Sequence, residues 1–215
     1  LETEHAKLGH LVQLKHHNPQ QQVWMDRFTV RNLELISPNA PEAIKLLEVV
    51  DHTATAMGGR LLRRWITAPI TDVSAIEKRL NVVAYFKGQP GLHQQVLACL
   101  KSITDLERLT AKIATGRINP REVNALRQAL EQTKTITTLL ATASPIAPLL
   151  ATIDDSHTIT EHISSWIEME APTQLGKGNT IAATVSVELD ELRTLAQGGR
   201  DTLDAMLERE TERTG

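Results

Sequence analysis

Apolar residues recur at intervals of three and four positions along most of the chain, the spacing that places them on one face of an α-helix. The pattern predicts an all-α fold, with short helices in a multi-helix core and two long helices. The long helices are predicted at residues 119–143 and 186–213. The short ones are predicted at residues 1–14, 42–51, 54–67, 72–87, 106–115 and 158–166.

Some of these helices carry recognisable start signals. In NPRE at 119–122, Asn119 is placed to cap the helix, Pro120 to take its first position and Glu122 to complete a capping box. The same spacing predicts further capping boxes, at Ser74 with Glu77, Thr104 with Glu107, and Thr158 with Glu161.

Two stretches lack the helical period. Residues 24–36, WMDRFTVRNLELI, mix β-branched, aromatic and charged side chains and are predicted to be extended or irregular, with a loop at 37–41. Residues 171–185 carry glycine, threonine and proline among β-branched residues. This composition predicts a loop with a short strand pair, a small irregular or β segment near 172–185.

The last predicted helix carries an apolar stripe with alternating spacings of three and four. Its members are Leu189, Leu192, Ala196, Gly199, Leu203 and Met206. The next two positions are Glu210 and Arg213, so we expect the last turns to leave the core. Because the chain also opens in a helical pattern, we expect it to be a piece of a larger protein.

Composition narrows the classes of function. With 23 basic and 26 acidic residues, the net charge of −3 argues against a surface that binds nucleic acid through charge alone. Aromatic residues make up 3 % of the chain, too few for a platform that stacks single-stranded bases. The single Cys99 and the lack of a signal-peptide pattern favour the cytoplasm, and no apolar run approaches the roughly 20 residues of a membrane helix.

Patterns for nucleotide, metal or catalytic sites are weak. GKGNT at 176–180 lacks both the first glycine of a Walker A motif and the hydroxyl residue directly after the lysine, so we expect a turn there. The histidines lack the spacing of a helical zinc motif and no second cysteine accompanies them, so no metal is expected. The candidate histidines are His5 with His10, His16 with His17, and His157 with His162 beside Asp154 and Asp155. No catalytic residue is predicted.

The stretch TATAMGGRLLRRW at 53–65 separates into two helix faces. Gly58 and Trp65 fall on the apolar face, where the glycine predicts the close approach of another helix. Arg60, Arg63 and Arg64 fall on the opposite face. That face is either solvated and ion-paired, or it contacts the DNA backbone or a neighbouring domain.

Four stretches carry a resemblance to a known family. They are RNLEL at 31–35, LLEVVDHTATAMGGRLLRRWITAPITD at 46–72, DLERLTAKIATGRINPREVNALRQAL at 105–130, and IAATVSVELDELRTL at 181–195 followed by ERETERTG. In this order they resemble the middle region of the MutS family of DNA mismatch repair ATPases. The resemblance implies a core or lever domain covering 1–215, with a linking helix at 1–18.

The same resemblance implies that two lever helices start in this chain, at 121–143 and at 186–215, and rise to a clamp domain beyond it. The parent protein would be a homodimeric DNA-dependent ATPase that uses ATP and Mg, binds duplex DNA with mispaired bases through other domains, and works with a MutL-type partner. This chain would hold no cofactor and have no catalysis of its own. The family carries glycines near Asn179 and Thr184. Asparagine tolerates left-handed backbone and threonine does not, so the resemblance leaves the geometry of the loop around these two residues open.

A second hypothesis is a self-sufficient helical DNA-binding module that uses the face of Arg60, Arg63 and Arg64. This module would bind duplex DNA by itself, with an affinity that falls steeply as salt rises.

Overall fold

The computed structural model describes residues 21–40 and 42–214, apart from the side chains of 200–202 and 214. The helix predicted at 1–14 and the linking helix expected at 1–18 lie outside the described residues. The described helices are α1 (Arg27–Asn32), α2 (Leu46–Val50), α3 (Ala56–Thr67), α4 (Val73–Gly88), α5 (Pro90–Ser102), α6 (Leu106–Ala114), α7 (Pro120–Leu139), α8 (Ala147–Leu150), α9 (His157–Trp166) and α10 (Val187–Thr214).

The fold is all-α, as predicted. Within the described residues, β pairing is limited to two isolated antiparallel bridges, Gln22 with Ile70 and Ile167 with Ile181. The chain divides into two compact units between His93 and Gln94, inside α5, a helix that the apolar spacing did not predict.

In the first unit, the expectation of an extended segment at 24–36 is wrong for α1. Asp26 caps this helix, with its Oδ1 accepting a hydrogen bond from the Thr29 amide at 2.6 Å. A single cap can stabilise a helix too short to show an apolar period. Beyond α1, the amides of Leu46 and Leu47 donate to the carbonyls of Glu34 and Leu35, both at 2.9 Å, and α2 begins there instead of at residue 42.

Aspartates replace two of the predicted hydroxyl caps. Asp72 caps α4 by accepting from the Ser74 amide at 3.0 Å, and Asp105 caps α6 by accepting from the Arg108 amide at 3.3 Å. A carboxylate at a helix start also interacts favourably with the helix dipole, which a hydroxyl does not. The box predicted at Thr158 is also wrong, because α9 begins at His157 and has no side-chain cap from Ser156.

The second unit is built around α7, which packs most extensively on α9 and also contacts α6. The helix ends at Leu139, four residues before the predicted end, and a 3-10 turn at Ser144–Ile146 follows it. Pro120, Leu126 and Ala129 of α7 are buried. In the rest of the described chain, the buried apolar side chains are Val96, Leu109, Leu140, Ala143, Ile146 and Ala171.

The last helix, α10, has 28 residues and contributes none of those buried side chains. Leu192, Leu203 and Met206 of the predicted stripe are 57 %, 67 % and 53 % exposed. The stripe therefore leaves the core near its beginning, earlier than the last turns where the sequence predicted it would.

Candidate functional site

The start of α3 is covered by the residues that precede it. Thr55 Oγ1 accepts a hydrogen bond from the Gly58 amide at 3.0 Å, and Asp51 Oδ1 accepts from the Thr53 hydroxyl and amide at 2.7 and 3.0 Å. The hydrogen bond from the Thr53 hydroxyl, and after it the one from the Thr53 amide, lowers the pKa of Asp51. The segment 51–55 is thereby held over the first turn of α3.

This cover explains the glycine pair. A Cβ on Gly58 would lie 3.1 Å from Thr55 Oγ1 and 3.4 Å from Thr53 Cβ, and one on Gly59 would lie 3.3 Å from Thr53 Oγ1. The predicted helix-to-helix contact at Gly58 is therefore wrong, because the nearest atoms belong to the helix's own capping segment. The Gly58 and Gly59 amides already donate to Thr55, so they are not arranged as a phosphate cradle.

The three arginines of α3 are all exposed. On the opposite face Leu62 and Ile66 are half-buried, whereas Leu61 and Trp65 remain 42 % and 40 % exposed. The charged and apolar faces are thus separated as the helical angles predict. The alternatives for the face of Arg60, Arg63 and Arg64 stay predictions: it is solvated and ion-paired, or it contacts the DNA backbone or a neighbouring domain.

Trp65 is held by a cation that was not predicted from the sequence. The Arg79 guanidinium carbon lies 3.7 Å from the centroid of the Trp65 ring, a cation–π contact between α3 and α4. Arg79 is 14 positions away on a different helix, so no local pattern indicates this pairing.

The base of α7 is fixed by the predicted capping box. The Asn119 side chain accepts from the Glu122 amide at 2.9 Å, Glu122 Oε2 accepts from the Asn119 amide at 3.2 Å, and Pro120 takes the first helical position. Lys112 of α6 forms an ion pair with Glu122. The hydrogen bond from Lys112, and after it the one from the Asn119 amide, lowers the pKa of Glu122.

A second contact of α7 reaches the segment after α9. The buried Asn124 donates from Nδ2 to the carbonyls of Glu168 and Met169, at 2.7 and 3.1 Å. That segment pairs with 180–182, since the Glu168 amide donates to Thr180 O and the Ala182 amide to Trp166 O, both at 2.9 Å. The strand pair expected inside 171–185 is wrong, because residues 166–168 supply the other side of the pairing.

The base of α10 is held by Asp190 and Arg193. Asp190 Oδ2 accepts from the Thr184 amide at 2.7 Å, and Arg193 donates to Asp190 Oδ1 at 3.0 Å and to the Ile181 carbonyl at 2.8 Å. Thr184 has φ +72°, so the threonine adopts left-handed backbone near the position where the resemblance places a glycine. Gly176 and Gly178 also have positive φ, which fits the turn predicted for GKGNT.

The histidine pairs do not converge on a metal site within the part of the chain that the structure describes. His157 Nε2 lies 3.2 Å from Glu161 Oε1, and both side chains are exposed. No three histidine, cysteine or carboxylate side chains come together among the described residues. His5, His10, His16 and His17 lie outside them.

An open groove of about 620 Å³ runs along the start of α10. Its lining is Thr184, Val187, Asp190, Glu191, Thr194 and Leu195. Of these, Thr184 and Asp190 already hydrogen-bond to each other at the base of the helix. Among the described helices, none is long and apolar enough to cross a membrane.

In the second unit, the long helix α7 packs among other helices, whereas the long helix α10 is attached at its first turns. These features define a helical scaffold. A family model described as MutS domain III matches residues 28–212. The chain is 43 % identical to the DNA mismatch repair protein MutS of Christiangramia forsetii and 41 % identical to that of Flavobacterium johnsoniae. Each alignment covers 100 % of this chain and 25 % of the relative.

The MutS protein of Bacteroides thetaiotaomicron is 38 % identical over 99 % of the chain. The chain belongs to the MutS family and corresponds to its domain III. It spans about a quarter of the length of the curated relatives it matches, 25 % for each of these three proteins.

Proposed function

We propose that this chain is the lever region of a DNA mismatch repair protein and that it transmits movement between an ATPase domain and a DNA clamp. The observation that carries the proposal is the contrast between α7, packed in the core, and α10, whose apolar stripe is exposed. A helix attached at one end is suited to carry a displacement from its base to its far end.

The lengths of the two helices support this role. At 1.5 Å per residue, the 20 residues of α7 span about 30 Å and the 28 residues of α10 about 42 Å. A small rotation at the base of α10 becomes a displacement of several ångströms at its end, a rigid-body mode of switching.

The remaining roles follow from the family. The parent protein binds ATP and Mg and contacts mispaired duplex DNA through other domains, as a homodimer in the cytoplasm with a MutL-type protein as partner. This chain supplies no catalytic group. We expect the isolated chain to fold, to hydrolyse no ATP and to bind matched and mismatched duplexes equally weakly.

A domain exchange tests the lever role. The matching region of the Flavobacterium johnsoniae MutS, 41 % identical, is replaced by this chain, and the chimera is expressed in a strain that lacks its own MutS. We expect the chimera to lower the spontaneous mutation rate toward that of the unmodified relative. A chimera with two consecutive prolines in the exposed part of α10 should fail, while a chimera with two alanines at the same positions should succeed.

If the proline chimera and the alanine chimera both suppress mutation, a continuous α10 is not required and the lever role is wrong. If neither does although both are folded and bind DNA, the chain does not perform the domain III role of that relative.

The exposed arginine face supports the alternative of a DNA-binding module. Duplex titration of the isolated chain at low and moderate salt distinguishes the two proposals. The module requires an affinity that falls steeply with salt and weakens further on Arg63→Ala and Arg64→Ala. The lever proposal predicts weak binding that these substitutions leave nearly unchanged.

A further inference from the structure

The start of α10 is attached mainly by polar contacts. Val187, Leu192 and Leu195, the aliphatic residues of its first turns apart from the half-buried Leu189, are 73 %, 57 % and 72 % exposed. Hydrophobic burial therefore contributes little to holding this helix in the described part of the chain. The hydrogen bonds at the start of α10 therefore have the larger part in fixing its direction.

Three residues form the charged hydrogen bonds at this helix start, and we name them the clasp: Thr184, Asp190 and Arg193. Asp190 uses one carboxylate oxygen for the Thr184 amide, at 2.7 Å, and the other for Arg193, at 3.0 Å. Arg193 uses its second nitrogen for the Ile181 carbonyl, at 2.8 Å. All three bonds involve a charged group, and such bonds are stronger than those between neutral groups. Two of them, Asp190 to Thr184 and Arg193 to Ile181, join α10 to residues before the helix, and the third lies within α10 and orients these two side chains.

One residue of the clasp, Thr184, has a strained backbone. Thr184 has φ +72°, and a β-branched side chain is unfavourable in the left-handed region. The strain persists only while neighbouring contacts hold the residue there. Opening the clasp would let Thr184 return to negative φ, so strain relief offsets part of the loss of the two hydrogen bonds that join α10 to Ile181 and Thr184.

The clasp is also linked to α7. Ile181, which accepts from Arg193, belongs to the segment paired with residues 166–168. Asn124 of α7 holds the neighbouring carbonyls of Glu168 and Met169. Hydrogen bonds, connected through the backbone of residues 166–169 and 180–182, thus link Asn124 of α7 to Arg193 of α10.

We propose that the clasp is the release point of α10: closed, it fixes the direction of the helix relative to α7, and open, it lets α10 swing while the core stays folded. The proposal rests on the lever role in its biological meaning, but it concerns the geometry of this chain alone. It can therefore fail while the domain exchange succeeds, and the converse also holds.

Pulsed electron–electron double resonance, which measures the distance between two spin labels, tests the proposal on the 215-residue chain. Spin labels are attached at Thr135→Cys on α7 and Arg209→Cys on α10, both exposed positions, with Cys99→Ser as background. The intact clasp should give one narrow distance distribution. Arg193→Ala and Asp190→Ala should at least double its width, and circular dichroism should show the same melting temperature for all variants.

Two controls separate the clasp from a general weakening of α10. Glu188→Ala removes an exposed carboxylate from the same turn of the helix and should leave the distribution narrow. Asp190→Asn keeps an acceptor for the Thr184 amide but loses the charge, so its width should fall between those of the intact chain and Asp190→Ala.

The strain is tested at residue 184. Asparagine tolerates left-handed backbone better than threonine does, so Thr184→Asn combined with Arg193→Ala should recover part of the narrow distribution. Thr184→Val keeps the β-branch and should recover none. Unchanged width in Arg193→Ala and Asp190→Ala, equal effects of asparagine and valine at 184, or a melting temperature that falls together with the broadening would each overturn the proposal.

Discussion

The two long helices of the second unit are anchored in different ways. α7 is held by buried apolar residues, a capping box and an ion pair, whereas α10 is joined to the residues before it by two charged hydrogen bonds near its base. Burial is non-directional and strong in sum, and hydrogen bonds are directional and can be exchanged one at a time. Under the lever proposal, this difference makes α7 the fixed frame and α10 the moving part.

The largest expected effect is the loss of core packing under α7. Leu126 is buried, so Leu126→Ala should lower the free energy of unfolding by about 2–5 kcal/mol. Leu195 of α10 is 72 % exposed, so Leu195→Ala should change it by less than about 0.5 kcal/mol. Urea unfolding followed by circular dichroism measures both, and equal losses would remove the contrast between the helices.

Capping should show the same contrast at a smaller scale. Asn119→Ala removes the α7 cap and should cost about 1 kcal/mol of global stability. Ser186 Oγ accepts from the Leu189 amide at 3.2 Å, a similar bond at the start of α10. Because the core does not depend on α10, Ser186→Ala should leave the urea midpoint nearly unchanged. A midpoint shift as large as that of Asn119→Ala would show that α10 unfolds together with the core.

Glycine substitutions sharpen the comparison. Gly199 lies inside α10 with nothing within 4 Å of an added Cβ, so Gly199→Ala should stabilise that helix by about 1 kcal/mol, or about fivefold in amide protection. At Gly58 the Cβ would lie 3.1 Å from the capping oxygen of Thr55, which offsets the same gain in propensity. Hydrogen exchange resolved by residue measures both helices, and a gain at residue 58 as large as at 199 would contradict the role given to the capping segment.

Acid should weaken the α7 base with a defined sign. The pKa of Glu122 is lowered in the folded state from its ordinary 4.5, so its contribution is fully present above that value and is lost as the pH falls through the lower, folded value. Glu122→Gln should flatten this part of the pH dependence. Urea titrations of the unmodified chain and of Glu122→Gln, from pH 6 to pH 3, measure how the free energy of unfolding depends on pH. The same pH dependence in the two proteins would mean that Glu122 contributes none of it.

Features that depend on neighbours in sequence could be predicted. Apolar spacing indicated most of the helices, and the α7 capping box spans only Asn119 to Glu122. Where two nearby residues compete, as Asp72 does with Ser74, the pattern alone did not select the cap that forms. The left-handed backbone at Thr184 was not predicted, because the resemblance places a glycine near this position whereas threonine disfavours that conformation.

Contacts between distant positions could not be predicted from local patterns. Asn124 meets the carbonyls of Glu168 and Met169 more than 40 positions away, and Arg79 meets Trp65 on another helix. The clasp combines three residues whose spacing resembles an ordinary helix start. Its role depends on the exposed stripe of α10, which a repeating apolar pattern suggests should be buried.

Native-state hydrogen exchange of the intact chain tests the different anchoring of α7 and α10 most directly, because one experiment reports both helices. Amides in the middle of α7 should exchange only through global unfolding and lose protection with the full denaturant dependence of the core. Amides of α10 beyond Leu195 should exchange at least a hundredfold faster, with little dependence on denaturant. Equal protection and equal denaturant dependence in the two helices would contradict the division into a fixed and a moving helix.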